Sequence, residues 1–250
     1  MREAALQVAT ASLNAALYVA LGVLSASLPT LFGVRFWPQV FVPGAFAVLF
    51  GPWVGGVGAA VGIFIADVVY GHHDALLSLL VGVPSNLVCF ALLGYLSRKS
   101  LKSAARVGSI TAGIVAPVLM VAYGVYAFSG STLAMLVGVG AVAVVLVAVP
   151  YLARSSWAQV QAASSIGLAV GSLIIGFGIV AYSSFFVMPQ VLGLGSGALP
   201  IVFAYGTTLW TYLSEIPFLL ILTPPIVKAV RATLPSLRIE QPKVSQSRNA

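Results

Sequence analysis

From Ser155 to Ser214 the chain carries no Asp, Glu, Lys or Arg, and the stretches 75–97 and 107–153 are equally free of charge. Apolar runs of this length, broken only by short polar turns, leave too little charge to cover a water-facing surface. Of 250 residues, 60% are hydrophobic and 7% charged, with a mean hydropathy of +1.07. A soluble chain would carry about 25% charged residues. The solvent for most of this surface is therefore lipid, and the expected fold class is all-α, a polytopic integral membrane protein.

A span takes about 20 apolar residues. On that measure segments fall near 8–28, 39–51, 53–70, 76–97, 107–128, 132–153, 163–187 and 199–227. The second is short, carries Pro43 and ends at Gly51-Pro52, a pair that breaks a helix. The last is long, holds Pro217 and runs into Pro224-Pro225, which predicts a kink or tilt. The apolar stretch from Val8 to Leu28 exceeds the roughly 7–15 residues of a signal-peptide core, so it reads as a first span and not as a cleaved leader.

The basic residues orient these spans. Arg98, Lys99, Lys102 and Arg106 crowd one loop, and cytoplasmic loops collect such residues. With eight spans, eleven of the twelve Lys and Arg residues fall on the cytoplasmic side and only Arg35 falls outside. Both termini are then cytoplasmic. Residues 1–231 form one membrane domain, and 232–250 form a polar basic tail of the kind that stays disordered. The net charge of +7 thus reports orientation, and nucleic acid is not an expected partner.

Several chemistries are excluded by what is missing. There is no GxxxxGK[ST] loop for a nucleotide phosphate and no HExxH zinc motif. The single cysteine, Cys89, lies in an apolar run and reads as a buried, inert thiol. His72-His73-Asp74 offers too few ligands in one short turn for a metal site. The expectation is no enzyme, no cofactor and no bound metal, which leaves binding or transport.

Ionisable residues inside spans are costly and tend to face a cavity or a partner. Asp67 lies near the end of the third span and Glu215 near the middle of the last, two residues before Pro217. Asn86, after Pro84, and Asn14 add amides. Asp67, Asn86 and Glu215, with the aromatic surface of Trp210 and Tyr212, make a candidate substrate site. Asp67 could equally sit at the membrane interface beside Tyr70 and His72, and Trp210 and Tyr212 could be packing residues or interface anchors. Gly51, Gly55, Gly58 and Gly62 set up small-xxx-small spacings that let helices approach closely.

The run VFVPGAFAVLFGPWVGGVGAAVGIFIADVV, residues 40–69, resembles the substrate-binding S component of energy-coupling factor transporters. The shared pattern is a short proline-containing span, an FGP break and a Gly/Ala-rich span ending in Asp. ATASLNAALYVALGVL, residues 9–24, is similar to that family's opening helix, with Ala11 and Ala15 as its AxxxA motif and Ala16 and Ala20 as a second register. The final span flowing into a basic helix, EIPFLLILTPPIVKAVRA, residues 215–232, fits as well.

The resemblance implies a six-helix core, which makes two of the eight spans an added pair within 107–153. It implies a subunit of the plasma membrane that captures a vitamin, a modified-base precursor or a metal ion from outside and hydrolyses nothing. Its partners would be a transmembrane coupling subunit, docked on Ala11, Ala15, Ala16 and Ala20, and two ATPase subunits. Residues 28–39 would form a lid, with Arg35, Phe36 and Trp37 as lid contacts. The competing reading is a self-sufficient secondary transporter that uses Asp67 and Glu215 to carry protons or a cation.

Overall fold

The computed structural model describes residues 2–28, 30–71, 74–99, 157–188 and 197–233, with scattered positions between 118 and 145. The protein is a membrane-embedded helical bundle. Helix α1 spans Arg2–Gly22, α2 spans Phe41–Phe50, α3 Pro52–Tyr70, α4 Ala75–Leu96, α5 Ala158–Phe185 and α6 Ile201–Thr233. Among the described residues, five helices are long and apolar enough to cross a membrane, and α2 with its leading turn, Pro38–Phe50, is shorter. The spans expected at 107–128 and 132–153 lie outside the described residues apart from those scattered helical positions, as does nearly all of the tail.

The helices succeed one another as packing neighbours in the order α1, α3, α4, α5, α6, and α2 fills the space between α3, α4 and α6. Leu6, Leu13, Leu17, Trp53, Val68 and Val69 are turned outward, as a lipid-facing surface requires. At one end the strands β1, Thr30–Leu31, and β2, Val34–Arg35, form an antiparallel hairpin. At the other end Gln159 Nε2 donates to the Leu96 and Ser97 carbonyls, tying α5 to the end of α4.

Each break has a local cause. Gly51 adopts φ of 116°, a backbone closed to side chains, and Pro52 opens α3, so the Gly-Pro pair ends one helix and starts the next. Pro43 falls in the first turn of α2, where its missing N–H costs nothing, so α2 continues past it. Pro84 sits inside α4 without breaking it. The turn before it, Ser78–Gly82, widens to π geometry, which shifts the hydrogen-bond ladder that Pro84 cannot enter. Pro217, Pro224 and Pro225 lie within α6, which is nonetheless continuous to Thr233, two residues past the expected domain edge.

Small residues set how near the helices come. A Cβ placed on Gly94 would lie 2.8 Å from Pro52 Cα and 2.9 Å from Pro52 N, so the start of α3 rests directly on α4. Asn14 fastens α1 to α3, its Nδ2 donating to the carbonyls of Val54, 3.1 Å, and Gly55, 3.3 Å. Arg98 closes the end of α2 opposite the hairpin. Its Nη1 donates to Ala47 O and Gly94 O, both at 2.9 Å, and its Nη2 to Val48 O at 3.3 Å. Burial holds this guanidinium below its ordinary pKa, with a smaller push from Arg231.

Gly94→Ala should lower thermal stability in detergent, because backbone and not a flexible side chain opposes the new methyl; about 1–3 kcal/mol is expected for such overpacking. Leu13→Ala, on the exposed face of α1, should leave the melting temperature nearly unchanged. Equal effects of the two would disprove this account of the α3–α4 contact.

Candidate functional site

The hairpin turn places Phe32 at φ of 50° and Gly33 at φ of 74°. Two consecutive positive φ values make the tight turn that matches strand twist, and glycine accepts the second without strain. For Phe32 the conformation is costly, and α6 compensates. Gly206 lies against the Phe32 ring, where a Cβ would come within 2.9 Å of Cε1. Phe203 meets the same ring edge-on at 5.8 Å. Thr207 Oγ1 donates to Phe32 O at 3.0 Å, and Trp210 Nε1 donates to Val34 O at 2.9 Å. Phe36, just past β2, stacks edge-on with Phe218 at 5.5 Å. The hairpin is thus clamped along α6.

Beneath it lies a cavity bounded by α1, α3, α4, α5 and α6. Five residues marked out by the sequence line it together: Arg35, Trp37, Asp67, Asn86 and Glu215. Asp67 is 1% exposed, so it lies in the bundle and not at a membrane interface. Ser78 Oγ, in the widened turn of α4, donates to Asp67 Oδ2 at 2.7 Å. Arg35, on β2, faces Asp67 with opposite charge; burial pulls the guanidinium pKa below its ordinary value and the Asp67 carboxylate partly restores it. Asn86 Nδ2 donates back to Gly82 O at 3.0 Å, while its Oδ1 accepts from Tyr18 Oη at 3.1 Å.

Trp210 is placed differently. It is fully buried but does not line the cavity; its indole N–H is committed to the hairpin, so it acts as a clamp on β2. Tyr212 also packs away from the cavity. Asn14 is a fastener between helices. Of the four alanines on α1, Ala11 and Ala15 are buried beside α3, and only Ala16 and Ala20 remain on the exposed side. The first alanine register, Ala11 and Ala15, also lines a groove between α1 and α3 beside Trp53 and Val57. His72 and His73 lie outside the described residues, and among the described residues no three of His, Cys, Asp or Glu converge as metal ligands.

Sequence reading missed Tyr18, Ser172 and Thr211, all of which line the cavity. Tyr18 meets Trp37 edge-on, ring centroids 6.1 Å apart, and together they form an aromatic wall. Ser172 lies on the stretch of α5 where Gly171 brings the helix against Cys89 of α4. The cavity is partly open and its free space is small, about 50 Å³ measured to the centres of water-sized spheres. That is room for a few waters. A larger occupant requires the hairpin to lift or the walls to part.

If the α6 clamp governs the hairpin, Thr207→Val combined with Trp210→Phe should release it. Two hydrogen bonds of about 1 kcal/mol each correspond to roughly ten- to thirtyfold more frequent opening. Amide hydrogen exchange across residues 30–37 measures this directly, and unchanged protection would refute the clamp.

Comparison with known protein families, with curated proteins and with solved structures finds no match to this chain.

Proposed function

We propose that this chain is the substrate-capturing subunit of an ATP-driven importer of the energy-coupling factor kind, taking up a vitamin or related small micronutrient. The observation that supports it most is the cavity beneath a clamped hairpin, where five of the six residues suspected of binding substrate converge. The groups there are of kinds that bind and orient a small molecule. The likeness of residues 40–69 to the S components supports this reading, and the hairpin at 30–35 falls within residues 28–39, the segment that the likeness implies as a lid.

In this reading the hairpin faces the outside of the plasma membrane and both termini face the cytoplasm, with eight spans in all. Substrate enters under the hairpin, and a coupling subunit with two ATPases powers release on the other side. Ala16 and Ala20 are the alanines of α1 still available to such a partner.

One observation favours the alternative of a self-sufficient ion-coupled carrier. Asp67 and Glu215 share one cavity, and acidic residues so placed serve proton and cation relays in carriers. The two readings separate in proteoliposomes that contain the full chain alone. The capture subunit retains a small molecule through purification, identifiable by native mass spectrometry near one per chain, and Ile175→Trp, which fills the cavity, loses it. It moves nothing across the membrane under an imposed pH gradient. Net uptake by the chain alone, driven by that gradient, would overturn the importer reading and establish the carrier.

A further inference from the structure

The polar groups around the cavity satisfy one another with few exceptions. Tyr18 donates to Asn86, Asn86 to Gly82 O, and Ser78 to Asp67. Ser85 Oγ donates to Gly171 O at 3.1 Å, and Thr211 Oγ1 to Thr207 O at 2.9 Å. Arg35 and Asp67 balance in charge. Glu215 stands apart. It is 7% exposed, lines the cavity, and among the described residues its carboxylate has no hydrogen-bond or ionic partner. The buried Ser172 hydroxyl and the Trp37 indole N–H, which line the same cavity, also lack partners.

A buried carboxylate left unpaired costs several kcal/mol or more. An ionised carboxylate only accepts hydrogen bonds, through two oxygens side by side. An ionised Glu215 is met by a donor, and with Arg35 and Asp67 opposed in charge the charge left to match is negative. The Trp37 indole N–H, buried and without a partner on the same cavity, takes an acceptor elsewhere on the bound molecule. A bare metal ion fits poorly, because it seeks several oxygen ligands and only one carboxylate here is without a partner. The walls add a second constraint. Tyr18, Trp37 and Phe90 border the same space, and aromatic faces attract cations. The small free volume sets the third.

Resting on the reading of this cavity as a capture site, we propose that the captured molecule is a small flat organic cation that presents paired N–H donors to the Glu215 carboxylate. An amidinium edge, or a protonated aminoheterocycle of the same outline, fits this description. It bonds the carboxylate through two parallel N–H groups, the geometry that makes guanidinium–carboxylate pairs strong. Ser172 accepts from, or donates to, the rest of the ring.

Three probes of nearly one shape test this on the full chain in detergent: benzamidinium, benzamide and benzoate, followed by quenching of tryptophan fluorescence, since Trp37 borders the cavity. Benzamidinium is expected to bind at least about tenfold tighter than benzamide, as expected for one charge-assisted pair, with benzoate weakest. Glu215→Gln should erase the preference for the cation while benzamide still binds. Glu215→Asp, which keeps the charge, should retain the preference with weaker binding, and serves if the first variant does not fold. Benzamide or benzoate binding as well as benzamidinium would overturn the cation assignment and leave the capture site standing. Binding of none of the three also overturns it. The capture reading falls with it only if, in addition, Ile175→Trp purifies with the same small-molecule content as the unaltered chain.

Discussion

A carboxylate inside a bilayer has to be matched from within the protein, and the structure is organised around that demand. Among the described acidic residues, Asp67 and Glu215 lie deep in the bundle, and both border one cavity. Asp67 is served by Ser78 and faces Arg35, which the hairpin carries in from the loop between α1 and α2. Neutralising Asp67 thus requires the hairpin to be closed, and the hairpin closes only because α6 holds it through Thr207, Trp210 and the space left by Gly206. Electrostatics in α3, a loop conformation and the packing face of α6 are one linked set.

Close approach of helices makes that set possible. In lipid there is no hydrophobic drive between helices, so contact relies on fit and on internal hydrogen bonds. Gly94 against Pro52 and Gly171 against Cys89 bring helices together where any side chain would hold them apart. The widened turn at Ser78–Gly82 does the opposite. It accommodates Pro84 and at the same time turns Ser78 toward Asp67. An irregular turn inside a span is tolerated when it lines a cavity, and here it does.

Much of this was legible in the sequence, because the cost of burying charge or amide groups makes such residues conspicuous among apolar ones. Asp67, Glu215 and Asn86 stood out for that reason, and the Gly51-Pro52 break followed from backbone chemistry alone. What sequence could not supply was direction. Trp210 was grouped with the site by its position near Glu215, yet its indole N–H reaches the other way, to Val34. Ala11 and Ala15 satisfied a small-residue spacing that serves equally inside a chain and between chains, and α3 claims them. Tyr18 and Ser172 gave no signal, since hydroxyls are cheap enough in a helix to pass as ordinary packing. Which helices surround the cavity depended on contacts across the bundle that no local pattern records.

The two ends of the cavity differ in what would have to break for it to open. Toward the hairpin, the barrier is two side-chain hydrogen bonds, a few aromatic contacts, and the charge pairing of Arg35 with Asp67. Toward the opposite end stands α2 itself. Its Gly44 is pressed against Leu219 and Thr223, and its last carbonyls are held by Arg98, which also bonds Gly94 of α4. Opening that end means displacing a helix and stripping a half-buried guanidinium of three acceptors, a larger rearrangement than lifting a six-residue hairpin. This asymmetry between the two ends is in keeping with the capture reading proposed above. Under the proposed importer reading, the work of opening that second end falls to the coupling subunit and its ATPases; under the carrier reading it falls to the ion gradient acting on Asp67 and Glu215.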